Sequence, residues 1–246
     1  MNIEITLEDL LKNGSHFGHN KKRWNPKMSK FIYGEKNGTH ILDLRKSLPL
    51  LENSIKFAFE SAKQNKKFLF VSTKKQHSDI VKTIAEETNN FYVNFRWLGG
   101  MLTNWNTVKK SINTLKEYES ILLSEENLFT KKELGDIEKK KIRLDKTLGG
   151  ILEMKNTPDV IFIIDTNKEH IAVLEAKKLG IPIIAIIDTN CDPDPIDYPI
   201  PANDDGVKSV QFILDNFSKV IKLSSEKIET PSENDNSQKE SEEKNV

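Results

Sequence analysis

Residues 157–205 decide the fold; they read TPDVIFIIDTNKEHIAVLEAKKLGIPIIAIIDTNCDPDPIDYPIPANDD. Two short apolar runs, Val160 to Ile164 and Ile183 to Ile187, are continuous and are bounded by polar turn residues. Runs of this kind are typical of strands in a parallel sheet that is covered on both faces. An amphipathic stretch from Glu169 to Lys178 lies between them, so the segment predicts a strand–helix–strand unit.

The same alternation of apolar runs and amphipathic stretches continues outside this segment. Further strands are predicted at Phe68 to Val71 and, from weaker patterns, at Ile41 to Leu44 and Tyr92 to Phe95. Further helices are predicted at Pro49 to Gln64, with Ser47 as its cap, at Gln76 to Thr88 and at about Gly206 to Lys222. Strands that alternate with helices form right-handed βαβ units. The predicted fold class is therefore α/β, with a doubly wound parallel sheet.

Residues 105–148 interrupt this alternation, because they contain no credible strand and are densely charged. Apolar residues recur here at intervals of three, four or seven, as in two helices that each carry a narrow apolar seam. The seams contain Val108, Ile112, Leu115 and Leu122, and then Leu134, Ile137, Leu144 and Leu148. We predict an inserted helical hairpin that turns near Ser124 to Thr130 and protrudes, with its helices burying mainly each other. The alternative is that both seams pack on the sheet.

The composition excludes several classes of protein. Of the 246 residues, 37% are hydrophobic and 30% are charged, which is typical of a soluble globular chain. No apolar run approaches the ~20 residues that cross a bilayer, and the N-terminus lacks the pattern of a secretory signal. The single Cys191 can form neither an intrachain disulfide nor a cysteine-pair zinc site, which fits a reducing compartment. We expect an intracellular chain.

Charge is distributed unevenly, although the 37 basic and 37 acidic residues cancel. Residues 224–246 carry seven acids, three lysines and few apolar side chains, so we expect a disordered acidic tail there. Residues 12–46, in contrast, carry nine bases and two acids. The predicted organisation is an α/β domain made of residues 1–104 and 149–223, a helical hairpin at 105–148 and the tail at 224–246.

The motifs of nucleotide-binding enzymes are absent from the sequence. There is no G-x-x-x-x-G-K-[ST] loop, and no G-x-G-x-x-G follows a predicted strand. His16 and His19 could bind a divalent metal together with distant carboxylates such as Asp188, Asp204 or Asp205. Spacing alone is a weak signal for such a site, for which His19, Asp188 and Asp204 are the candidate ligands. The favoured alternative is that these histidines bond to backbone groups in a tight loop, and no cofactor is expected.

The strongest chemical signal lies in the basic loop, residues 14–30, where five bases, an aromatic ring and amides occur close to a proline. Lysine and arginine bind phosphates by releasing counterions, and a tryptophan can stack on a base. The predicted RNA contacts in this loop are Lys21, Lys22, Arg23, Trp24, Asn25, Lys27 and Lys30. The alternative is a basic face that is merely solvated.

A second cluster of bases and aromatic rings occurs at residues 94–105, just before the predicted hairpin. Its tryptophans are interpreted as structural anchors. The further RNA contacts predicted here and in the following helix are Arg96, Asn104, Lys109 and Lys110.

Four segments of this sequence resemble the S-two family of small-subunit ribosomal proteins. They are GSHFGHNKKRWNPKM at 14–28, FRWLGGMLTNW at 95–105, LGGI at 148–151 and the whole of 157–205, so the resemblance covers residues 1 to about 222. It implies a flavodoxin-like parallel sheet with a protruding helical hairpin. The acidic tail matches no motif.

The resemblance also implies a role in translation without any catalysed reaction. It implies a structural constituent of the small subunit that lies between head and body, contacts small-subunit rRNA and other small-subunit proteins, and in bacteria helps to anchor the mRNA-binding protein S-one. The expected location is the ribosome, in the cytoplasm, or in an organellar matrix or stroma if the gene is organellar. The alternative from a different class is a nucleotide- or metal-dependent enzyme on a doubly wound fold.

Overall fold

Residues 5–124 and 129–229 are those that the computed structural model describes. The helices within these ranges are α1 (Leu7–Lys12), α2 (Leu44–Lys63), α3 (Ser78–Glu87), α4 (Trp105–Leu123), α5 (Lys131–Leu148), α6 (His170–Leu179) and α7 (Val207–Glu229). The strands are β1 (Phe17–Asn20), β2 (Ile32–Lys36), β3 (Thr39–Leu42), β4 (Phe68–Val71), β5 (Phe91–Val93), β6 (Val160–Ile164), β7 (Ile183–Ile187) and β8 (Tyr198–Pro201). None of the helices in these ranges combines the length and the apolar character that a bilayer span requires.

Five strands form a parallel sheet in the order β5-β4-β6-β7-β8. The first of them along the chain, β4, therefore lies between the second and the third, which is the strand order of flavodoxin-like folds. The α/β fold class is confirmed. In open sheets of this type the crevice for ligands opens at the carboxyl ends of the strands where the order reverses, here β4 and β6.

Side chains that alternate along the central strands build two separate cores, one on each face of the parallel sheet. Leu69 and Val71 of β4 belong to the core that contains side chains of α4 and α6. Phe68 and Phe70 belong to the opposite core, which α2, α3 and α7 cover. Every residue of β4, β6 and β7 is buried, which explains why these strands are continuous apolar runs in the sequence.

A small antiparallel sheet, of order β1-β3-β2, precedes the parallel sheet, and only one of its three strands was predicted from the sequence. The predicted strand at Ile41 to Leu44 is β3, which ends at Leu42. Helix α2 begins at Leu44, ahead of the predicted start near Pro49, because the side chain of Asp43 caps it by accepting from the backbone N–H of Arg45. Ser47 is not the cap but lies inside the helix.

Helices α4 and α5 occupy the strandless segment, and Lys141 Nζ on α5 lies 2.9 Å from Glu119 Oε1 on α4. The expectation that these helices bury mainly each other is wrong for the first half of α4, because Val108, Ile112 and Leu115 are buried in the same core as the sheet. Besides α4 and the end of α5, α6 contributes buried side chains to this core, and Leu50 of α2 packs against it. Protrusion of the distal part stays a prediction.

The closing helix α7 ends at Glu229, later than predicted, so it enters the segment that was expected to be disordered. Ile221 and Ser224 are buried, and Ser224 Oγ donates to the carbonyl oxygen of Ile221 at 2.7 Å. Side chains of α7 therefore remain packed against the rest of the protein beyond Lys222, and this packing extends the helix. The rest of the predicted tail, residues 230–246, lies outside the described residues.

Candidate functional site

The basic loop has a defined backbone, because asparagine side chains cap its two short 3₁₀ turns. Asn20 Oδ1 accepts from the N–H of Lys22 at 3.0 Å, and Asn25 Oδ1 accepts from the N–H of Lys27 at 3.0 Å. The side-chain oxygen of Asn25, a predicted RNA contact, is therefore already used. The buried side chains of Met28 and Phe31 anchor the second turn in the core beneath. The loop thus holds its exposed side chains on a fixed scaffold.

Two of the predicted RNA-binding lysines form ion pairs within the chain. Lys21 Nζ lies 2.9 Å from Glu35 Oε1. Lys27 Nζ lies 2.7 Å from Asp192 Oδ2 and 2.6 Å from Asp194 Oδ2. Glu35 compensates the charge of Lys21, and the hydrogen bonds to Asp192 and then Asp194 raise the pKa of Lys27. Lys27 therefore ties the loop to the segment after β7 more than it offers a free charge.

Lys22 and Arg23, in contrast, are exposed and form no ion pair with any residue in 5–124 or 129–229. Lys30 is also exposed, and its Nζ lies 5.0 Å from the centre of the Phe31 ring. Trp24 is 39% exposed, and its ring lies 5.4 Å from that of His40. The structure thus brings open cationic groups and a half-exposed indole into one short segment, which is the chemistry of a nucleic-acid contact.

The second predicted cluster exposes Arg96, Asn104, Lys109 and Lys110. Asn104 Oδ1 accepts from Thr107 Oγ1 at 2.9 Å, at the start of α4. Trp97 is buried in the same core as Met28, as expected for an anchor. Both clusters are therefore fixed to the same face of the parallel sheet.

His19 lies between two carboxylates that follow strands of the parallel sheet. Its Nδ1 lies 2.9 Å from Asp188 Oδ2, and its Nε2 lies 3.3 Å from Asp205 Oδ2. The hydrogen bond to Asp188 raises the pKa of His19 to about 9. Gly18 permits this approach, because a Cβ atom on it would lie 2.7 Å from the Cγ2 atom of Thr189. The small sheet is thereby held against the loop after β7.

Lys74, which was not among the predicted site residues, fills the crevice between the carboxyl ends of β4 and β6. Its Nζ lies 2.8 Å from Asp165 Oδ2, 2.8 Å from Asp204 Oδ1 and 2.7 Å from Asp205 Oδ1. Burial alone would lower the pKa of Lys74, but these carboxylates outweigh it and raise the pKa. A lysine three residues beyond a buried strand was the available signal, since the carboxyl ends of parallel strands meet at one edge of the sheet. The crevice in which folds of this type bind ligands is therefore filled here by the side chain of Lys74.

Asp204 is fully buried beside this lysine, and its Oδ2 atom has no hydrogen-bond partner among the described residues. Burial, and then the charges of Asp165 and Asp188, raise the pKa of Asp204 to about 7. Ligand atoms of His19, Asp204 and Asp205 lie within 4.8 Å of one another. Asp205 thus takes the place predicted for Asp188, which instead bonds to Nδ1 of His19.

A second group of possible ligands, Asp165, Cys191 and Asp204, also lies within 4.8 Å but is entirely buried. Burial raises the pKa of the Cys191 thiol to about 12. Because a thiol binds metal as the thiolate, this group is the poorer of the two.

Comparison with known proteins places these features in a family. A family model described as ribosomal protein S2 matches residues 10–224. The small ribosomal subunit protein uS2 of Wolbachia pipientis subsp. Culex pipiens is 58% identical over 211 residues, which cover 85% of this chain and 78% of that protein. The uS2 protein of Brucella ovis is 50% identical over 216 residues, which cover 88% and 85%.

These matches confirm the resemblance seen in the sequence and the interpretation that the chain is a ribosomal protein and not an enzyme. The matched region contains the basic loop, Lys74 and the cluster around His19. The chain therefore belongs to the ribosomal protein S2 family.

Proposed function

We propose that this chain is a structural constituent of the small ribosomal subunit and binds small-subunit rRNA through its basic loop. The observation that supports this most is that Lys22 and Arg23 are exposed and unpaired within the described chain, beside the half-exposed Trp24. The relatives from Wolbachia and Brucella carry the name of a small-subunit protein, which supports the same assignment.

The chemistry of the proposed contact follows from the scaffold. Lys22 and Arg23 would replace counterions along the phosphate backbone, and Trp24 would stack on a base or sugar. Because the loop backbone is already fixed by its asparagine caps, little conformational entropy would be lost on binding. Lys21 and Lys27 would contribute less, since acidic residues of the chain already compensate their charge.

The wider part of the proposal concerns partners and location. Contact with other small-subunit proteins, and help in anchoring protein S-one, rest on the family resemblance alone. The proposal locates the chain at the ribosome, in the cytoplasm if the source is bacterial, as it is for the relatives named above.

Replacing Lys22 and Arg23 together with alanine should weaken binding to small subunits that lack this protein. The slope of log K against log salt concentration should become shallower by about 1.4 to 1.8, because each lost phosphate contact contributes ~0.7 to 0.9. The matched control replaces Lys21 and Lys27 with alanine, which should change the slope less. Sedimentation over a range of potassium concentrations measures both. Equal slopes for the wild type and the first variant would contradict the proposal.

We also propose a divalent cation held by His19 Nε2, Asp204 and Asp205. The hydrogen bond from His19 Nδ1 to Asp188 would orient the ring, as carboxylates do for metal-bound histidines. The unpartnered Oδ2 atom of buried Asp204 supports the site, since a buried carboxylate oxygen without a partner is costly. A mixed nitrogen and oxygen set suits zinc.

Zinc at about 100 times its Kd should stabilise the native chain by about 2.7 kcal/mol, because a ligand that binds only the folded state shifts unfolding. The rise in Tm should vanish in His19→Ala and persist in His170→Ala, whose side chain is exposed and outside the cluster. Calorimetry with and without zinc compares the three proteins. The site is ruled out if His19→Ala responds to zinc as strongly as the wild type does.

A further inference from the structure

The loop between β5 and α4, residues 94–104, has no regular secondary structure but alternates between buried and exposed side chains. Trp97, Met101 and Leu102 are buried in the core. Arg96 and Asn104, which flank them, are exposed. The direction of these two side chains therefore depends on how the backbone between them is held.

One buried carboxylate, that of Glu175 on α6, holds this backbone. Its Oε1 atom accepts from Trp97 Nε1 at 3.1 Å and from the N–H of Gly100 at 2.8 Å. Its Oε2 atom accepts from the N–H of Leu102 at 2.9 Å and from both the N–H and the hydroxyl of Thr103, at 3.0 and 3.1 Å. Five donors from one loop thus converge on a single side chain.

Glu175 is only 6% exposed and forms no ion pair with any residue of the described ranges. A buried carboxylate without a cation is costly unless hydrogen bonds compensate it, and these five bonds do so. Gly100 contributes to the geometry, since its φ of +84° lies in the left-handed region that favours glycine. Burial alone would raise the pKa of Glu175, but the bonds from the loop lower it. The ionised carboxylate of Glu175 is therefore the form that accepts the five hydrogen bonds of this loop conformation.

We infer that Glu175 is a positioning residue for RNA binding, which fixes the loop so that Arg96 and Asn104 present their side chains to the rRNA. This inference rests on the proposed function. Glu175 is buried behind the loop and would act through the loop backbone and not by touching RNA. A neutral amide in its place would offer one acceptor oxygen and would turn an NH₂ group toward loop donors.

The test compares Glu175→Gln, Arg96→Ala and the double variant for binding to small subunits that lack the protein, over a range of salt concentrations. Arg96→Ala should make the log–log slope shallower by about 0.7 to 0.9, the value of one phosphate contact. Glu175→Gln should do the same although it removes no positive charge, and the double variant should match either single one. Ile213→Val, a buried truncation on the opposite face, controls for lost stability and should leave the slope unchanged.

Hydrogen exchange gives an independent reading of the same variants. The amides of Gly100, Leu102 and Thr103 should lose protection in Glu175→Gln and keep it in Arg96→Ala. If Glu175→Gln does not fold, the pair Trp97→Phe and Thr103→Val removes two of the five donors and should shift the slope in the same direction.

An unchanged slope in Glu175→Gln, or in the substitute pair, alongside a shallower one in Arg96→Ala, would overturn the inference and leave the proposed function intact. An unchanged slope in Arg96→Ala would also overturn it, because the positioned side chain would then contact no phosphate. The Lys22 and Arg23 variant decides the proposed function separately.

Discussion

Excising residues 106–147, with a short glycine linker in their place, is expected to abolish cooperative unfolding of the chain. The excision removes Val108, Ile112 and Leu115, which are buried in the same core as the sheet. Truncating one buried leucine or isoleucine to alanine costs about 2 to 5 kcal/mol, whereas whole domains are stable by about 5 to 15 kcal/mol. Thermal unfolding followed by circular dichroism should show a broad slope without a transition.

The matched control removes only the distal part, by replacing residues 120–140 with the same linker. Glu119 Oε1 and Lys141 Nζ form an ion pair at 2.9 Å, so the two helices are neighbours at the level where the glycine linker would join them. All the buried residues of α4 and α5 remain. This shorter chain should unfold cooperatively at nearly the Tm of the wild type. If the full excision does the same, the first half of α4 is not part of the core.

Replacing Lys74 with methionine should destabilise the chain by about 3 to 5 kcal/mol at pH 8. Removing one partner from a buried ion pair leaves an uncompensated charge, and here Asp165 and Asp204 are both buried. Chemical denaturation measures the loss. Lys75→Met is the matched control, since Lys75 is the exposed neighbour and its loss should change stability little.

The loss in Lys74→Met should shrink as the pH falls. The pKa of Asp204 is already about 7 in the folded protein, above its usual value of 3.8, because of burial and then the charges of Asp165 and Asp188. Without Lys74 this pKa should be higher still. The folded variant then binds protons more tightly than the unfolded chain does, so lowering the pH from 8 to 5 should recover stability. A loss that is the same at both pH values, or that Lys75→Met reproduces, would contradict this interpretation of the cluster.

The strands β4, β6 and β7 could be predicted from the sequence because they are buried on both faces and are therefore uninterrupted apolar runs, as at Val160–Ile164. The edge strand β8 was not predicted, because it is partly exposed and two of its four residues are prolines. The antiparallel sheet could not be predicted, because its strands are short and half-buried; in β2, for example, Tyr33 is 69% exposed. The start of α2 was misplaced because Asp43 caps it ahead of Ser47, and either residue type can serve as a cap.

The residue types of the candidate site were predicted from the sequence, but the ion pairs that these residues form were not. A run of bases indicates phosphate binding, yet only the fold shows that Lys27 contacts Asp192 and Asp194, which lie far away in the sequence. Loop composition likewise says nothing of Glu175, because a single glutamate on an amphipathic helix usually faces water. Contacts between distant segments decide which charges are free, and local patterns do not encode them.

The most direct test of the account is a structure of the small ribosomal subunit isolated from cells that express this chain. We predict that the basic loop faces rRNA, with the side-chain nitrogens of Lys22 and Arg23 about 3 Å from phosphate oxygens. Lys21 and Lys27 should keep their carboxylate partners Glu35 and Asp192. A subunit without the chain, or one in which the basic loop faces solvent with no phosphate near Lys22 and Arg23, would contradict the account.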